Sequence, residues 1–162
     1  IAPCPEDFTF QFVLEHITDP ISVLKKLYKV MVPGGIIRIA VPNDFSEGQM
    51  AYVENYNEEA HWVCFPDHTN YFTFDSLHNL LEKVGFKEIY RTTNFPLEFL
   101  LDSGINYYAS EDERKKVGPI VRKFESSFRN TGREKLLEHY YENLAQQGFG
   151  RSIYMYAIKR NR

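Results

Sequence analysis

The chain has 162 residues, 43% hydrophobic and 25% charged, which fits one globular domain with a real core and is too short for two ordinary ones. Its formal charge of −3 argues against a nucleic-acid partner, whose binders carry a net basic face, and no apolar run approaches the roughly 20 residues that span a bilayer. Cys4 and Cys64 form no metal-like or disulfide-like spacing and no leader-type segment is visible, so a reduced, cytoplasmic setting is expected.

Phe8 to Leu14 is rich in aromatic and β-branched residues and reads as a buried strand. Asp19 offers a cap and Pro20 suits the first position of a helix running to about Met31, with Leu24, Leu27, Tyr28 and Met31 on one stripe. Pro33-Gly34-Gly35 stops it. The apolar run Ile36 to Val41 then predicts a central parallel strand covered on both faces, ended by Pro42-Asn43.

A short helix is expected around Glu47 to Tyr56, with a loop at Pro66-Asp67-His68. Thr73 caps a helix through Leu77, Leu80, Leu81 and Val84 that Gly85 closes, and Phe86 to Thr92 reads as a strand. The alternation of strands and helices is that of an α/β layered fold. Beyond it, Ser110 and Glu113 predict a capping box for a helix toward Phe128, kinked or broken at Gly118-Pro119. Thr131 and Glu134 predict a second box, opening a helix toward Gln147. Ser152 to Ile158 reads as the final strand.

The stretch Leu14-Glu15-His16, Asp19-Pro20 and Pro33-Gly34-Gly35, with Asn43, resembles the fourth strand, following helix and fifth strand of class I S-adenosylmethionine-dependent methyltransferases. A second block, His68 to Thr73 with Leu77, Leu80-Leu81 and Gly85-Phe86, fits the same pattern, so the likeness covers roughly residues 8 to 92. Gly150-Arg151 suits the hairpin before the family's last strand. The resemblance implies a partial Rossmann-like α/β sheet with a helical insertion before the last strand. In ranges, it implies the C-terminal half of the methyltransferase core over 1–94, a helical cap over 95–150 and the final strand over 151–162.

The family's cofactor is S-adenosylmethionine, held largely by the first half of the sheet through a Gly-rich turn and a ribose-binding acid. Only Ile1 to Asp7 precede the fourth-strand equivalent, and no Gly-x-Gly lies upstream of it. The resemblance therefore implies a truncated domain that presents the acceptor-facing half and by itself binds the cofactor weakly or not at all.

Ligands of open α/β sheets sit beyond the carboxyl ends of the strands. There the resemblance places Gln11, Phe12, Leu14 and Glu15 toward the cofactor, and His16 and His68 as catalytic candidates, each an acceptor-side base or orienter. The alternative for both histidines is a structural role in the loops. Some metal-dependent relatives use Glu-x-x-Glu-His with a later His, which Glu15, His16 and His68 match in part. Phe12 stands where the first Glu would be, so no metal is expected.

Aromatic residues of the long segment, Phe99, Tyr107, Tyr108, Phe124, Tyr140 and Tyr141, either line an acceptor pocket or pack among themselves. Lys115-Lys116, Arg129 and Arg133 read as a solvated face. The function so implied is methyl transfer to a small-molecule or glycan-type acceptor, with no membrane partner. The alternatives are a non-catalytic half-fold that pairs its exposed sheet edge in a homodimer, and a metal-dependent nucleic-acid O-methyltransferase.

Overall fold

The computed structural model describes residues 6–160; Cys4 and the outer ends of the ranges 1–94 and 151–162 lie outside them. Four strands, β1 (Asp7–Gln11), β2 (Ile36–Pro42), β3 (Phe86–Thr92) and β4 (Ser152–Lys159), form one mixed sheet in the order β1-β2-β4-β3. β1 and β2 are parallel, and β4 runs antiparallel to both β2 and β3. The last strand of the chain is thus inserted inside the sheet.

Helix α1 (Pro20–Val30) makes the parallel crossover from β1 to β2. Its cap is Asp19, whose side chain accepts from Ser22 N at 3.0 Å. Helix α2 (Glu47–Tyr56) follows β2 behind a reciprocal Ser46–Gln49 capping box, and α3 (Phe74–Val84) precedes β3 behind a Thr73–Ser76 box. Gly85 closes α3 at φ 116°, a left-handed cap that favours glycine. The main core lies between one face of the sheet (Ile37, Ile39, Val41, Ile153, Met155) and the stripes of α1 and α3 (Leu24, Leu27, Leu77, Leu81), with Phe86 fully buried.

Four expectations need correction. The first strand stops at Gln11 and does not reach Leu14: Phe12 adopts φ 52°, and Leu14–His16 form one turn of 3-10 helix. The N–H of Phe12 still reaches Ala40 O at 2.8 Å, so the chain leaves the sheet at once after its last ladder bond. Second, β2 is not apolar on both faces. Arg38 lies on the face opposite the core, over the rings of Tyr154 and Tyr156 at 5.3 and 5.9 Å, and donates to Gln11 Oε1 at 2.5 Å.

Third, α5 (Glu111–Arg129) runs unbroken through Pro119, and no residue of it is buried. On so exposed a helix, water can satisfy the carbonyl freed by the missing proline N–H. Thr131 does not cap α6 (Glu134–Gln146). Its hydroxyl donates back to Ser127 O and Phe128 O, at 2.7 and 3.1 Å, and closes α5.

The segment between β3 and β4 holds the short helix α4 (Glu98–Asp102), then α5 and α6. α6 leans on the sheet, where Tyr90 donates to Glu142 at 2.8 Å. Leu100, Leu101 and Tyr107 form a second small core with Tyr52 of α2 and Val117 and Ile120 of α5. The return into β4 is tight: Gly150 sits at φ 103°, and a Cβ there would overlap the side chain of Thr93, whose own Cβ would be 2.6 Å away. Thr93 cannot yield, because its hydroxyl donates to Ser152 O at 2.6 Å. Gly150→Ala is therefore expected to destabilise the chain by about 2–4 kcal/mol, combining steric overlap with left-handed strain, measured as a lower midpoint in urea denaturation.

Candidate functional site

The polar residues of the chain converge where β1 and β2 end. The 3-10 turn after β1 buries Leu14 in the core and Glu15 beside it, Glu15 being only 2% exposed. The carbonyl of Glu15 is the anchor of the neighbouring loop. It accepts from Thr69 N and Asn70 N at 2.9 and 3.0 Å and from Thr69 Oγ1 at 3.3 Å, while Asn70 Nδ2 donates to Ile17 O at 2.7 Å. His-Thr-Asn at 68–70 is thereby stitched onto the turn at 15–17, across more than 50 residues of sequence.

That stitching brings His16 and His68 together, their rings edge to face at 4.8 Å between centroids. Glu15, His16 and His68 each offer a ligand-type atom, all within 4.8 Å of one another. His16 Nδ1 lies 2.7 Å from Asp67 O. A carbonyl only accepts, so Nδ1 carries a proton there, and Nε2 lies 3.9 Å from Glu15 Oε1. Glu15 Oε2 and His68 Nδ1 are buried without a hydrogen-bond partner. Burial raises the carboxyl of Glu15 above the usual carboxylate range, against the lowering pull of both histidines.

A second polar group adjoins the first. Asp44, 1% exposed at the end of β2, accepts from Arg151 Nη1 at 3.2 Å, and burial raises its carboxyl. Arg151 stands just ahead of β4. Asn43 fixes this junction by donating through Nδ2 to Gly148 O and Gly150 O, both at 2.9 Å, while its N–H reaches Arg151 O at 3.0 Å. Sequence reasoning singled out Asn43 and the Gly150-Arg151 hairpin, but not the Asp44–Arg151 pair. Its partners are 107 positions apart, and only the strand order joins them.

The remaining candidates separate. Gln11 and Phe12 are exposed at the end of β1, the amide oxygen of Gln11 already taken by Arg38. Tyr107 and Tyr108 lie near Arg151 and feel its charge. Phe124 and Tyr140 pack against each other between α5 and α6, Tyr141 beside them, and Phe99 meets Phe149. Lys115, Lys116 and Arg129 pair with Asp112, Glu113 and Glu125 on the surface.

A four-stranded mixed sheet with its buried polar groups at the carboxyl ends of β1 and β2 has the architecture of the class I methyltransferase fold. A family described as a methyltransferase domain matches residues 9–90, just over half of the 162-residue chain. The chain belongs to that methyltransferase family. The fold is also similar to an S-adenosylmethionine-dependent methyltransferase from Archaeoglobus fulgidus, with 19% identity, TM-score 0.49, and coverage of 95% of this chain and 59% of that one.

Phosphoethanolamine N-methyltransferase 2 from Haemonchus contortus, solved with S-adenosyl-L-methionine, matches at 16% identity and TM-score 0.44, over 96% of this chain and 33% of its own. The [4+2]-cyclase SpnF matches at 14% identity and TM-score 0.49, over 100% of this chain and 54% of its own. The chain thus spans well under two thirds of these proteins. A search of curated proteins found no match.

S-adenosylmethionine is the cofactor of the intact family fold. The described residues do not by themselves fit it. The end of β1 offers an amide already bonded to Arg38 and an apolar ring, Leu14 points into the core, and β1 has a sheet partner on one side only. The described residues before and just after β1 include no glycine and so supply no Gly-rich turn.

The buried carboxyl of Glu15 makes the stability of the site pH-dependent. Its folded pKa is raised, so its contribution is favourable below the unfolded value near 4.5 and is lost as pH rises through the folded one. Glu15→Gln is expected to raise the melting temperature at pH 8, with the gain vanishing toward pH 4. A loss of stability at pH 8 would show that the ionised carboxylate is held by favourable contacts instead.

Proposed function

We propose that this chain forms the acceptor-side face of a methyltransferase acting on a small molecule, glycans included, with His16 and His68 beside the acceptor. The observation that supports the reading is the setting of the His16 ring, whose Nε2 faces Glu15 Oε1 at 3.9 Å. It is held in place by the Nδ1–H bond to Asp67 O and backed by the buried Glu15. An imidazole so set takes a proton from an acceptor O–H or N–H near neutral pH, and Glu15 steadies the imidazolium that results. His68 closes the same corner, and Thr69 and Asn70 keep it there. Positioning the acceptor and excluding water are the rest of the task.

The proposal carries a statement about the chain alone: without a second wall at β1 it does not hold the methyl donor. Calorimetric titration of the 162-residue chain with S-adenosylmethionine is expected to show no tight binding. A dissociation constant on the order of 1 μM, equivalent to about −8 kcal/mol, would overturn that statement.

A second reading has its own observation. The same three side chains, Glu15, His16 and His68, bring their atoms within 4.8 Å of each other with an orphaned Glu15 oxygen among them. A divalent ion there would suit a metal-dependent methyltransferase of nucleic-acid ends. Mixed nitrogen and oxygen donors fit manganese better than magnesium. An ion that binds only the folded state raises its melting temperature. Under the first reading 1 mM manganese leaves the melting temperature unchanged; a rise of several degrees that is absent in His68→Ala replaces it with the second.

A further inference from the structure

Between α2 and the start of the helical segment lies an open space walled by rings. A hollow of about 260 Å³ is lined by Tyr52 of α2, by His61 and the acids Glu58 and Glu59 of the loop behind it, and by Leu101 and Tyr108 ahead of α5. Three of these residues are aromatic and come from three separate segments. His61 and Tyr108 have ring centroids 3.5 Å apart, and His61 meets Tyr52 edge to face at 6.5 Å. The wall is held by buried rings in turn: His61 touches Trp62 at 4.9 Å, and Tyr108 touches Tyr107 at 4.2 Å.

One polar atom of this wall is unspent. His61 Nε2 is buried and meets no hydrogen-bond partner. Burial, with the charge of Arg151, holds His61 down at about 4, so its ring is uncharged at neutral pH. A neutral imidazole has one donor and one acceptor nitrogen. Whichever tautomer is present, a hydroxyl satisfies Nε2, because it both donates and accepts. An ammonium satisfies only one tautomer and a carboxylate only the other, and a carboxylate also meets the exposed Glu58 and Glu59. A cluster built for packing alone would fill the space and would not orphan a nitrogen.

We infer that this hollow binds a small, uncharged aromatic compound carrying a hydroxyl, its ring against Tyr52, His61 and Tyr108 and its hydroxyl on His61 Nε2. Neither His16 nor His68 lines it, so the inference stands whether or not that corner handles protons. The space is below the roughly 300–1,000 Å³ of drug-sized pockets and takes one ring, not an extended chain. Flat rings meet aromatic walls offset or edge to face, a geometry that a saturated ring of the same size lacks.

The test uses the whole chain without cofactor and three probes near neutral pH. Phenol has the ring and the hydroxyl, cyclohexanol only the hydroxyl, and toluene only the ring. Trp62, the single tryptophan of the chain and buried beside His61, reports locally by fluorescence. Phenol at millimolar concentration is expected to change Trp62 emission saturably and to raise the melting temperature by about 1–3 °C. Cyclohexanol does neither. Toluene binds about fivefold more weakly than phenol, the worth of one hydrogen bond.

His61→Phe keeps a ring and removes the orphaned nitrogen. It is expected to hold or raise the melting temperature and to erase the preference for phenol over toluene. Tyr52→Leu, at the other side of the hollow, weakens both aromatic probes about fivefold. Phe8→Ala, at the amino end of β1 and outside the hollow, leaves the phenol response intact. Equal responses to phenol and cyclohexanol, a phenol preference that survives His61→Phe, or no response to phenol each overturn the inference. Should His61→Phe fail to fold, Tyr52→Leu decides, and undiminished phenol binding there overturns it.

Discussion

The sheet depends on one polar junction, the knot of Asn43, Asp44 and Arg151 that seats β4 beside β2. Asn43 holds the backbone of Gly148 and Gly150 through its side-chain amide, and Arg151 holds Asp44. These bonds join the end of β2 to the start of β4 across 107 positions. They add a polar tie between this junction and the α4 to α6 segment, beside the Tyr90–Glu142 bond and the second small core. The knot also fixes a cost, since it brings a guanidinium and a carboxylate out of water in order to seat one strand between two others. Buried ion pairs of that kind seldom stabilise on balance. Their use here is to specify a geometry, and the geometry they specify is that of the polar site.

The electrostatics of the interior point the same way. Glu15, Asp44 and Glu98 are all shifted upward by burial, and each retains an oxygen without a partner. A fold under selection for stability alone would not keep three such groups undercompensated. Strained or undercompensated polar groups collect where a protein must meet something that is not protein.

Local chemistry made much of the framework legible. Helix α3 was readable from Thr73, its apolar stripe and Gly85, because each signal is satisfied within a few residues. The same holds for the Asp19 cap of α1. Where two local solutions compete, sequence alone misled. Thr131 could cap the helix ahead or close the one behind, and the carbonyls of Ser127 and Phe128 won. Phe12 gave no warning of its left-handed backbone, which is set by where β1 must leave the sheet. Of the site, Glu15, His16 and His68 were visible as motif fragments. Asp44 and Arg151 stood in the sequence as parts of separate stretches, and their pairing was not visible, since it lies in a strand order that brings residues 44 and 151 together.

The distribution of apolar burial explains how the four-stranded sheet stands as a structured unit. The main core is closed by α1, α3 and three of the strands, and its largest buried side chains include Phe86, Leu14, Leu24, Ile39 and Met155. The outer edge of β1 instead carries exposed Phe8, Phe12 and Val13. Burial around β2 and β4 therefore supplies most of the stability of the sheet.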